Sequence, residues 1–373
     1  KQWSKLLGTS DWEFGRDISV GSDGSIYIIG STEGDLDGQT NSEGGTDVFI
    51  SKFNSNGIKQ WTKLAGVRGS YSSSGRLGID IANDDSIYIT GNTLRDLDGE
   101  VNNGSYDTFI SKFNSDGDKQ WSKLLGSSEW EFGEDLTIAS DGSIYITGKT
   151  DGDLDGQTNS GGLYDAFVSK FSSEGVKQWT KLLGTSGTDE GLAITNSNDG
   201  FIYLLYEKEY DSFLARFDSY GEIQWEKSLH ESVSGNALTT SIDGSIYVTG
   251  KGGYLYSWME ELDGQVNAGG DDIYLSKFTS NGDKQWISLL GTSETDVGNS
   301  ISIGDDDSIY VTGYTEGDLN GQSNSGGNDA FLIKLAETSS PTGISLSSSI
   351  FDENIDSSAV VATLLSIDED LSD

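Results

Sequence analysis

One stretch of about fifty residues is written over and over in this chain, and it leaves few folds open. In its clearest copy, residues 133–184, it reads Gly-Glu-Asp-Leu-Thr-Ile-Ala-Ser, Asp-Gly, Ser-Ile-Tyr-Ile-Thr-Gly. A polar loop follows, then Asp-Ala-Phe-Val-Ser-Lys-Phe, Ser-Ser-Glu-Gly and Val-Lys-Gln-Trp-Thr-Lys-Leu-Leu-Gly. Four short runs alternate apolar and polar residues between glycine-bearing turns, the pattern of a four-stranded antiparallel meander. The Gln-Trp pair marks the period: Trp3, Trp61, Trp121, Trp179, Trp225 and Trp286 lie 58, 60, 58, 46 and 61 residues apart. The Ile-Tyr run recurs at Tyr27, Tyr88, Tyr145, Tyr203, Tyr247 and Tyr310. Four strands per period of this length predict the blades of a β-propeller, not a helical solenoid.

The phase of the repeat predicts closure. The chain opens on a lone fourth strand, Lys1 to Gly8, and its sixth set stops after a third strand ending at Leu335. The expected fold is therefore all-β: a six-bladed propeller of four-stranded antiparallel blades, closed by the N-terminal strand completing the last blade. The blades fall near 14–65, 76–126, 133–184, 190–229, 235–290 and 298–335 plus 1–8, so the propeller spans 1–337. Closure would remove the free sheet edges. The alternative, a seven-bladed ring, needs a repeat beyond this chain. The chain starts at Lys1 and stops in mid-pattern, which reads as a piece of something longer.

Tight turns agree with the strand assignment. Asp23-Gly24, Asp141-Gly142 and Asp243-Gly244 join first and second strands, and Asn56-Gly57, Asp116-Gly117 and Asn281-Gly282 join third and fourth. The six repeated tryptophans fit packing between blades. Blade four is the exception, because Glu207-Lys-Glu-Tyr210 replaces the long loop of its siblings.

That loop carries the candidate metal ligands. Its copies give Asp35, Asp37 and Asn41; Asp96, Asp98 and Asn102; Asp153, Asp155 and Asn159; Glu261, Asp263 and Asn267; and Asp318, Asn320 and Asn324. Each leads to an acid opening the third strand: Asp47, Asp107, Asp165, Asp272 and Asp329. Hard cations take six to eight oxygens on flexible loops, so Ca²⁺ is the expected cofactor. The glycine stands fourth, not sixth as in an EF-hand, and no Glu stands twelfth. Asx-turns, in which the same side chains cap main-chain N–H groups, are the competing reading.

Candidate ligand contacts lie in the connections between blades. Trp12-Glu13-Phe14 and Trp130-Glu131-Phe132 set aromatics beside carboxylates on the loop face, which suits sugar rings. Trp258, with Tyr254 and Tyr256, is a similar candidate in blade five. Filling of gaps between blades is the competing reading for these rings. Asp17, Asp80 and Asp135 on first strands are expected to line the channel and hold a cation or water. Lys52, Lys112, Lys170, Lys277 and Lys334, with Arg216, are expected to pair with nearby acids.

Composition excludes several functions. A net charge of −38 repels nucleic acid and anionic lipid and favours cations. No apolar run is long enough to span a bilayer. There is no Cys, so thiolate sites and disulfides are impossible. His230 is the single His, which nearly excludes a His-based triad or a His-rich metal centre. No phosphate-cradling glycine motif precedes Lys and Ser or Thr.

The strand text Asp-Gly-Ser-Ile-Tyr-Ile-Thr-Gly, Gly-Gly-x-Asp-Ala-Phe-x-x-Lys-Phe and Gly-x-Lys-Gln-Trp resembles the bacterial β-propeller repeat family abbreviated SBBP, over residues 1–335. Residues 338–373 read as a linker and a truncated module that resembles the opening of a cadherin-like repeat. That second resemblance implies Ca²⁺ contacts from Glu353, Asp368 and Asp370. The first implies a place in a large secreted or surface-attached bacterial protein. Together with the residues, these resemblances lead us to expect a non-enzymatic, extracellular, calcium-stabilised binding or adhesion module of the cell surface. Its expected partner is a glycan or a surface protein. A carbohydrate-active enzyme using loop-face carboxylates and a passive spacer are the alternatives.

Overall fold

The computed structural model describes residues 3–41, 45–68, 76–230, 232–253, 261–262, 264–304, 306–336, 344–346 and 364–366. Blade one consists of Glu13–Val20, Ile26–Thr32, Asp47–Phe53 and Lys59–Arg68, and blade two of Gly78–Ile81, Ile87–Thr93, Asp107–Phe113 and Lys119–Leu125. Blade three is Glu131–Ile138, Ile144–Thr150, Asp165–Phe171 and Lys177–Leu183; blade four is Asp189–Asn196, Ile202–Lys208, Asp211–Phe217 and Ile223–Ser228. Blade five is Val233–Thr240, Ile246–Gly252, Asp272–Phe278 and Lys284–Leu290. It carries an added hairpin, Glu261–Leu262 with Gln265–Val266. Blade six has three strands, Asp296–Ile303, Ile309–Thr315 and Asp329–Leu335. Within every blade the strands pair antiparallel with their chain neighbours, as the meander pattern predicts. The fold is all-β, a six-bladed β-propeller.

Second and third strands are buried on both faces because blades stack on blades. Hence Ile-Tyr-Ile-Thr reads as an almost unbroken apolar run, with Tyr27, Tyr145, Tyr203 and Tyr247 fully buried. The Gln-Trp residue of each complete blade meets its own second-strand tyrosine, with ring centroids 6.0–6.3 Å apart from Tyr145–Trp179 to Tyr247–Trp286. In blades one to four its other side covers the turn glycine of the following blade. A Cβ on Gly117, whose φ is +77°, would stand 3.0 Å from the Trp61 ring. Indole N–H groups complete the joint, as from Trp179 Nε1 to Ser219 O at 3.2 Å.

The recurring third-strand lysines lie over these tyrosines. Lys52 Nζ is 5.1 Å from the Tyr27 ring centroid, Lys170 Nζ 5.2 Å from Tyr145 and Lys277 Nζ 5.3 Å from Tyr247. The expected acid pairing is present at Lys334–Asp306, 2.8 Å, and Arg216–Asp199, 3.3 Å. Lys52 Nζ also donates to Ser115 O at 3.4 Å and Lys170 Nζ to Ser219 O at 3.2 Å.

First strands run side by side around the axis, and their acids staple one blade to the next. Asp17 Oδ2 accepts from Ile79 N at 2.9 Å, Asp80 Oδ2 from Ile138 N at 2.9 Å, and Asp135 Oδ2 from Ile194 N at 2.8 Å. Sequence alone gave these carboxylates to a cation or water; in the structure main-chain amides occupy them.

Among the described residues the predicted strand pairing of the closure is not formed. There Asp329–Leu335 pairs with Ile309–Thr315, and residues 3–9 make no strand. Trp3 instead docks on blade one, with Nε1 3.1 Å from Ser55 O and its ring over Gly57. That is the contact Trp61, Trp121, Trp179 and Trp225 make with the turn glycine of the blade that follows each of them. The N-terminal segment thus holds its place beside blade one without its hydrogen-bonded partner. The seam between blades six and one is open: Ile18 is 59% exposed, Val20 62% and Leu332 50%. The counterparts of Ile18 in the other blades, Ile79, Leu136, Ile194, Leu238 and Ile301, are buried.

Past the propeller, Ile344–Leu346 pairs antiparallel with Leu364–Ser366. Glu353, Asp368 and Asp370 lie outside the described residues.

Candidate functional site

The loop between second and third strands is built around a tight turn. In Leu36-Asp37-Gly38-Gln39 the Leu is buried and bridges to Gln39, while Asp37 and Gly38 take φ of +52° and +77°. Asp98-Gly99, Asp155-Gly156 and Asn320-Gly321 repeat these values. Two successive positive φ angles define a type I′ turn, for which Asp-Gly and Asn-Gly are the favoured pairs.

The two acids of the Asp-Leu-Asp run then face apart. Asp35 Oδ1 accepts from Asn41 N at 2.9 Å, as Asp96 does from Asn102, Asp153 from Asn159 and Asp318 from Asn324. Asn41, Asn102, Asn159 and Asn324 turn their amides back onto the carbonyls of Thr32, Thr93, Thr150 and Thr315. Asp37 pairs with Lys59 at 2.5 Å, Asp98 with Lys119 at 2.8 Å, and Asp155 with Lys177. Burial pushes the Asp37 and Asp98 carboxyls up, but their lysine partners outweigh it and hold both below the usual carboxylate range.

The acids that open the third strands are engaged separately. Asp107 accepts from Asn103 N, Asp165 from Ser160 N, Asp272 from Ala268 N and Asp329 from Ser325 N. In blade five Asn267 Nδ2 donates to Gly252 O and Gly270 O. This is the Asx-turn geometry. Among the described residues no three His, Cys, Asp or Glu side chains converge on a point that could hold a metal ion. Asp263, Trp258, Tyr254 and Tyr256 lie outside the described residues.

The carboxylates of Glu13 and Glu131 turn onto their own chain. Glu131 is fully buried. It accepts from Ser127 N at 2.7 Å, Ser127 Oγ at 2.5 Å and Thr150 Oγ1 at 2.7 Å. Glu13 accepts from Thr9 N, Thr9 Oγ1 and Thr32 Oγ1 in the same way. Asp189 with Thr185 and Asp296 with Thr292 complete the set. The signal was present as Gly-Thr/Ser-x-x-x-acid, which begins at Gly8, Gly126, Gly184 and Gly291.

The neighbouring tryptophans do reach solvent. Trp12 is 68% exposed and stacks on Phe14 at 6.0 Å, with Arg16 over the Phe14 ring. Trp130 is 42% exposed and meets Tyr106 and Phe132 edge-on at 5.9 and 6.1 Å. Phe132 also contacts Tyr106 at 5.3 Å and Tyr164 at 6.2 Å. Two main-chain N–H groups fix this corner, Glu131 N donating to Tyr106 O at 2.7 Å and Trp130 N to the Asp151 side-chain Oδ1 at 2.7 Å.

A charged group adjoins the aromatic wall. Lys149 Nζ lies 5.1 Å from the Tyr164 ring centroid and 2.9 Å from Glu190 Oε1. Burial raises the Glu134 carboxyl to about 7 against the attraction of Lys149 and of Arg76, whose Nε is 3.6 Å away. Burial likewise raises Glu207, which accepts from Ser234 Oγ. Sequence reading missed Tyr106, Tyr164, Glu134, Lys149, Glu190 and Glu207. They come from three blades, and nothing in their local spacing marks them. The single histidine, His230, meets Ser232 Oγ at 2.8 Å.

The molecule is thus a β-propeller whose loop face carries one aromatic and charged patch on blade three. The family model described as SBBP, beta-propeller repeat, matches residues 285–320. A regulatory protein of Caulobacter vibrioides, FlaEY, is 28% identical over 189 residues, 46% of this chain. The chain spans about a fifth of that relative, 20% of its length. Among solved structures, a mutant of the sialidase NanB from Streptococcus pneumoniae is similar at a TM-score of 0.52 and 8% identity, over 84% of this chain and 67% of that one. A streptogramin B lyase is similar at 0.46 and 15% identity, over 80% and 89%. A Dyadobacter fermentans protein of unknown function is similar at 0.49 and 10%, over 87% and 95%. At these identities the likeness is one of fold. Among the described residues no helix is long and apolar enough to cross a membrane.

Proposed function

We propose that this chain is a non-enzymatic, calcium-stabilised binding module of a larger bacterial surface or secreted protein, taking a glycan on the loop face of blade three. One observation carries the reading. Trp130, half-exposed, is braced by Tyr106 and Phe132, and Phe132 in turn by Tyr164, beside Lys149 and Glu190. Flat rings next to charged hydrogen-bonding groups stack on sugar rings and orient their hydroxyls. The acidic surface and the lack of Cys accord with an extracellular setting. A glycan array probed with the wild type and with Trp130→Ala tests it. Glycan signals present in the wild type and lost in the variant support the reading; signals equal in both remove it.

One observation favours a carbohydrate-active enzyme instead. Burial raises the Glu134 carboxyl to about 7, and Lys149, which attracts it, also pairs with Glu190 at 2.9 Å. A carboxyl held protonated near a second carboxylate is what glycoside hydrolysis needs. A hydrolysis screen over aryl glycosides decides between the two, since turnover abolished by Glu134→Gln would establish the enzyme.

A further inference from the structure

Some of the most deeply buried unpaired polar atoms lie where one blade passes to the next. Asp272 opens the third strand of blade five and Asp296 the first strand of blade six; they are 1% and 0% exposed. Each commits one oxygen. Asp272 Oδ2 accepts from Ala268 N at 2.8 Å, and Asp296 Oδ2 accepts from Thr292 N at 2.6 Å and Thr292 Oγ1 at 2.9 Å. The remaining Oδ1 of each is buried without a hydrogen-bond partner. The two carboxylates flank Gly291: a Cβ there would stand 2.2 Å from Asp272 Oδ1 and 3.0 Å from Asp296 Oδ2. Glycine at this point leaves the room that the pair occupies.

Half of the arrangement recurs. Asp107 lies against Gly126 and faces Glu131 of the next blade, and Asp165 lies against Gly184 and faces Asp189. Asp107 Oδ1 and Asp165 Oδ1 are again buried and unpaired, whereas Glu131 and Asp189 have both oxygens engaged. Burial first, and then the like charge of the neighbouring acid, raise the Asp272 carboxyl to about 6. The junction between blades four and five is an internal contrast. There His230 replaces the glycine and Val233 the second acid, so the pair is lost together with its space.

Two buried carboxylates side by side, each with an unused oxygen, need a positive partner. Among the described residues no Lys or Arg reaches either carboxylate of the Asp272–Asp296 pair. A single divalent ion cancels the charge of one pair, and carboxylate oxygens are the ligands that hard cations prefer. We propose that the blade junctions, foremost that of Asp272 and Asp296, are divalent-cation sites of the calcium class, one ion bridging each carboxylate pair. This rests on the calcium-stabilised reading above and moves the ion from the Asp-Leu-Asp-Gly turns to the junctions.

The test is terbium luminescence on the full chain, stripped with EDTA, titrated with Tb³⁺ and competed with Ca²⁺. The expected result is a saturable signal displaced by Ca²⁺, with one ion fewer bound in Asp296→Asn. The rise in melting temperature on adding Ca²⁺ should also be smaller in that variant. Should Asp296→Asn fail to fold, Asp189→Asn supplies the same readout at another junction. Binding lost in Asp153→Asn but kept in both junction variants would overturn the junction sites and leave a calcium-binding loop. A wild type that binds no Tb³⁺, and whose melting temperature is unchanged by Ca²⁺, would overturn both calcium readings. In that case each pair shares a proton, and the glycan array still judges the binding function.

Discussion

The indole of Trp3 covers Gly57 as the indole of Trp61 covers Gly117, although only Trp61 sits on a hydrogen-bonded strand. The side-chain joint between blades therefore forms independently of the ladder bonds that complete a sheet. Trp61 also meets Tyr27, whereas Trp3 is without the equivalent contact to Tyr310 among the ring contacts seen. Trp3→Ala should cost about 1 kcal/mol and Trp61→Ala about 3 kcal/mol, the difference being the lost second face. Urea denaturation of the two variants gives both values.

The open seam has its own signature. Ile194 is buried between blades and Ile18, at the same place in blade one, is not. Truncating a buried Ile costs about 2–5 kcal/mol, and an exposed one about 0.5 kcal/mol or less. Ile194→Ala should therefore destabilise strongly and Ile18→Ala hardly at all. Equal losses, read by the same denaturation, would mean that blade six closes on blade one in solution.

Gly117 bears two demands at once, a φ of +77° and a tryptophan ring on top. Gly24, with the same φ, would present its Cβ only to Ser55 Cβ at 3.8 Å. Gly24→Ala should cost about 1 kcal/mol for the left-handed backbone alone. Gly117→Ala should cost visibly more, because the Trp61 ring must also shift. Thermal melts of both variants at one pH check the order.

What could be read in the sequence follows the range of the interactions. Strand boundaries and turns were legible because alternation and Asp-Gly pairs are local. Blade stacking was legible through the tryptophans, since one residue type recurs at one place per blade. The destination of each carboxylate was not. Asp35 and Asp37 sit two residues apart, yet one binds a main-chain amide and the other Lys59 on the fourth strand. Glu131 adjoins an exposed tryptophan but turns inward to Ser127 and Thr150. The patch of Tyr106, Phe132, Tyr164, Lys149 and Glu190 joins residues up to 84 apart in sequence and existed for no local pattern to find. Closure was expected from repeat phase, which reports a matching strand but not whether it is paired.

Acids with raised pKa values make the fold prefer low pH. Glu134 moves from 4.5 to about 7, and Asp17 and Asp80 from 3.8 to about 6. Burial is the first cause in all three. A carboxyl whose folded pKa is raised carries no penalty below its unfolded pKa and destabilises the fold as pH climbs through the folded value. Stability should thus fall between about pH 4.5 and 7 for Glu134. The penalty by pH 8 is about 3 kcal/mol, taking 1.36 kcal/mol per pKa unit. Glu134→Gln should flatten that part of the profile. Denaturation in EDTA at pH 5 and pH 8 measures it; a Glu134→Gln profile parallel to the wild type would refute the assignment.

Trp130 and Glu131 are adjacent in sequence and opposite in role. Glu131 is buried and accepts from one amide and two hydroxyls, so Glu131→Ala strands all three donors. Leaving buried donors unsatisfied costs about 1–3 kcal/mol each at most, and Glu131→Ala should lose about 3 kcal/mol in total. Trp130→Ala removes a half-exposed ring and should lose about 1 kcal/mol while abolishing glycan retention. The informative comparison is retention on the array at a temperature where both variants stay folded. Retention kept by Glu131→Ala and lost by Trp130→Ala would separate the buttress from the binding surface. The reverse pattern would return Glu131 to the site and contradict its three inward hydrogen bonds.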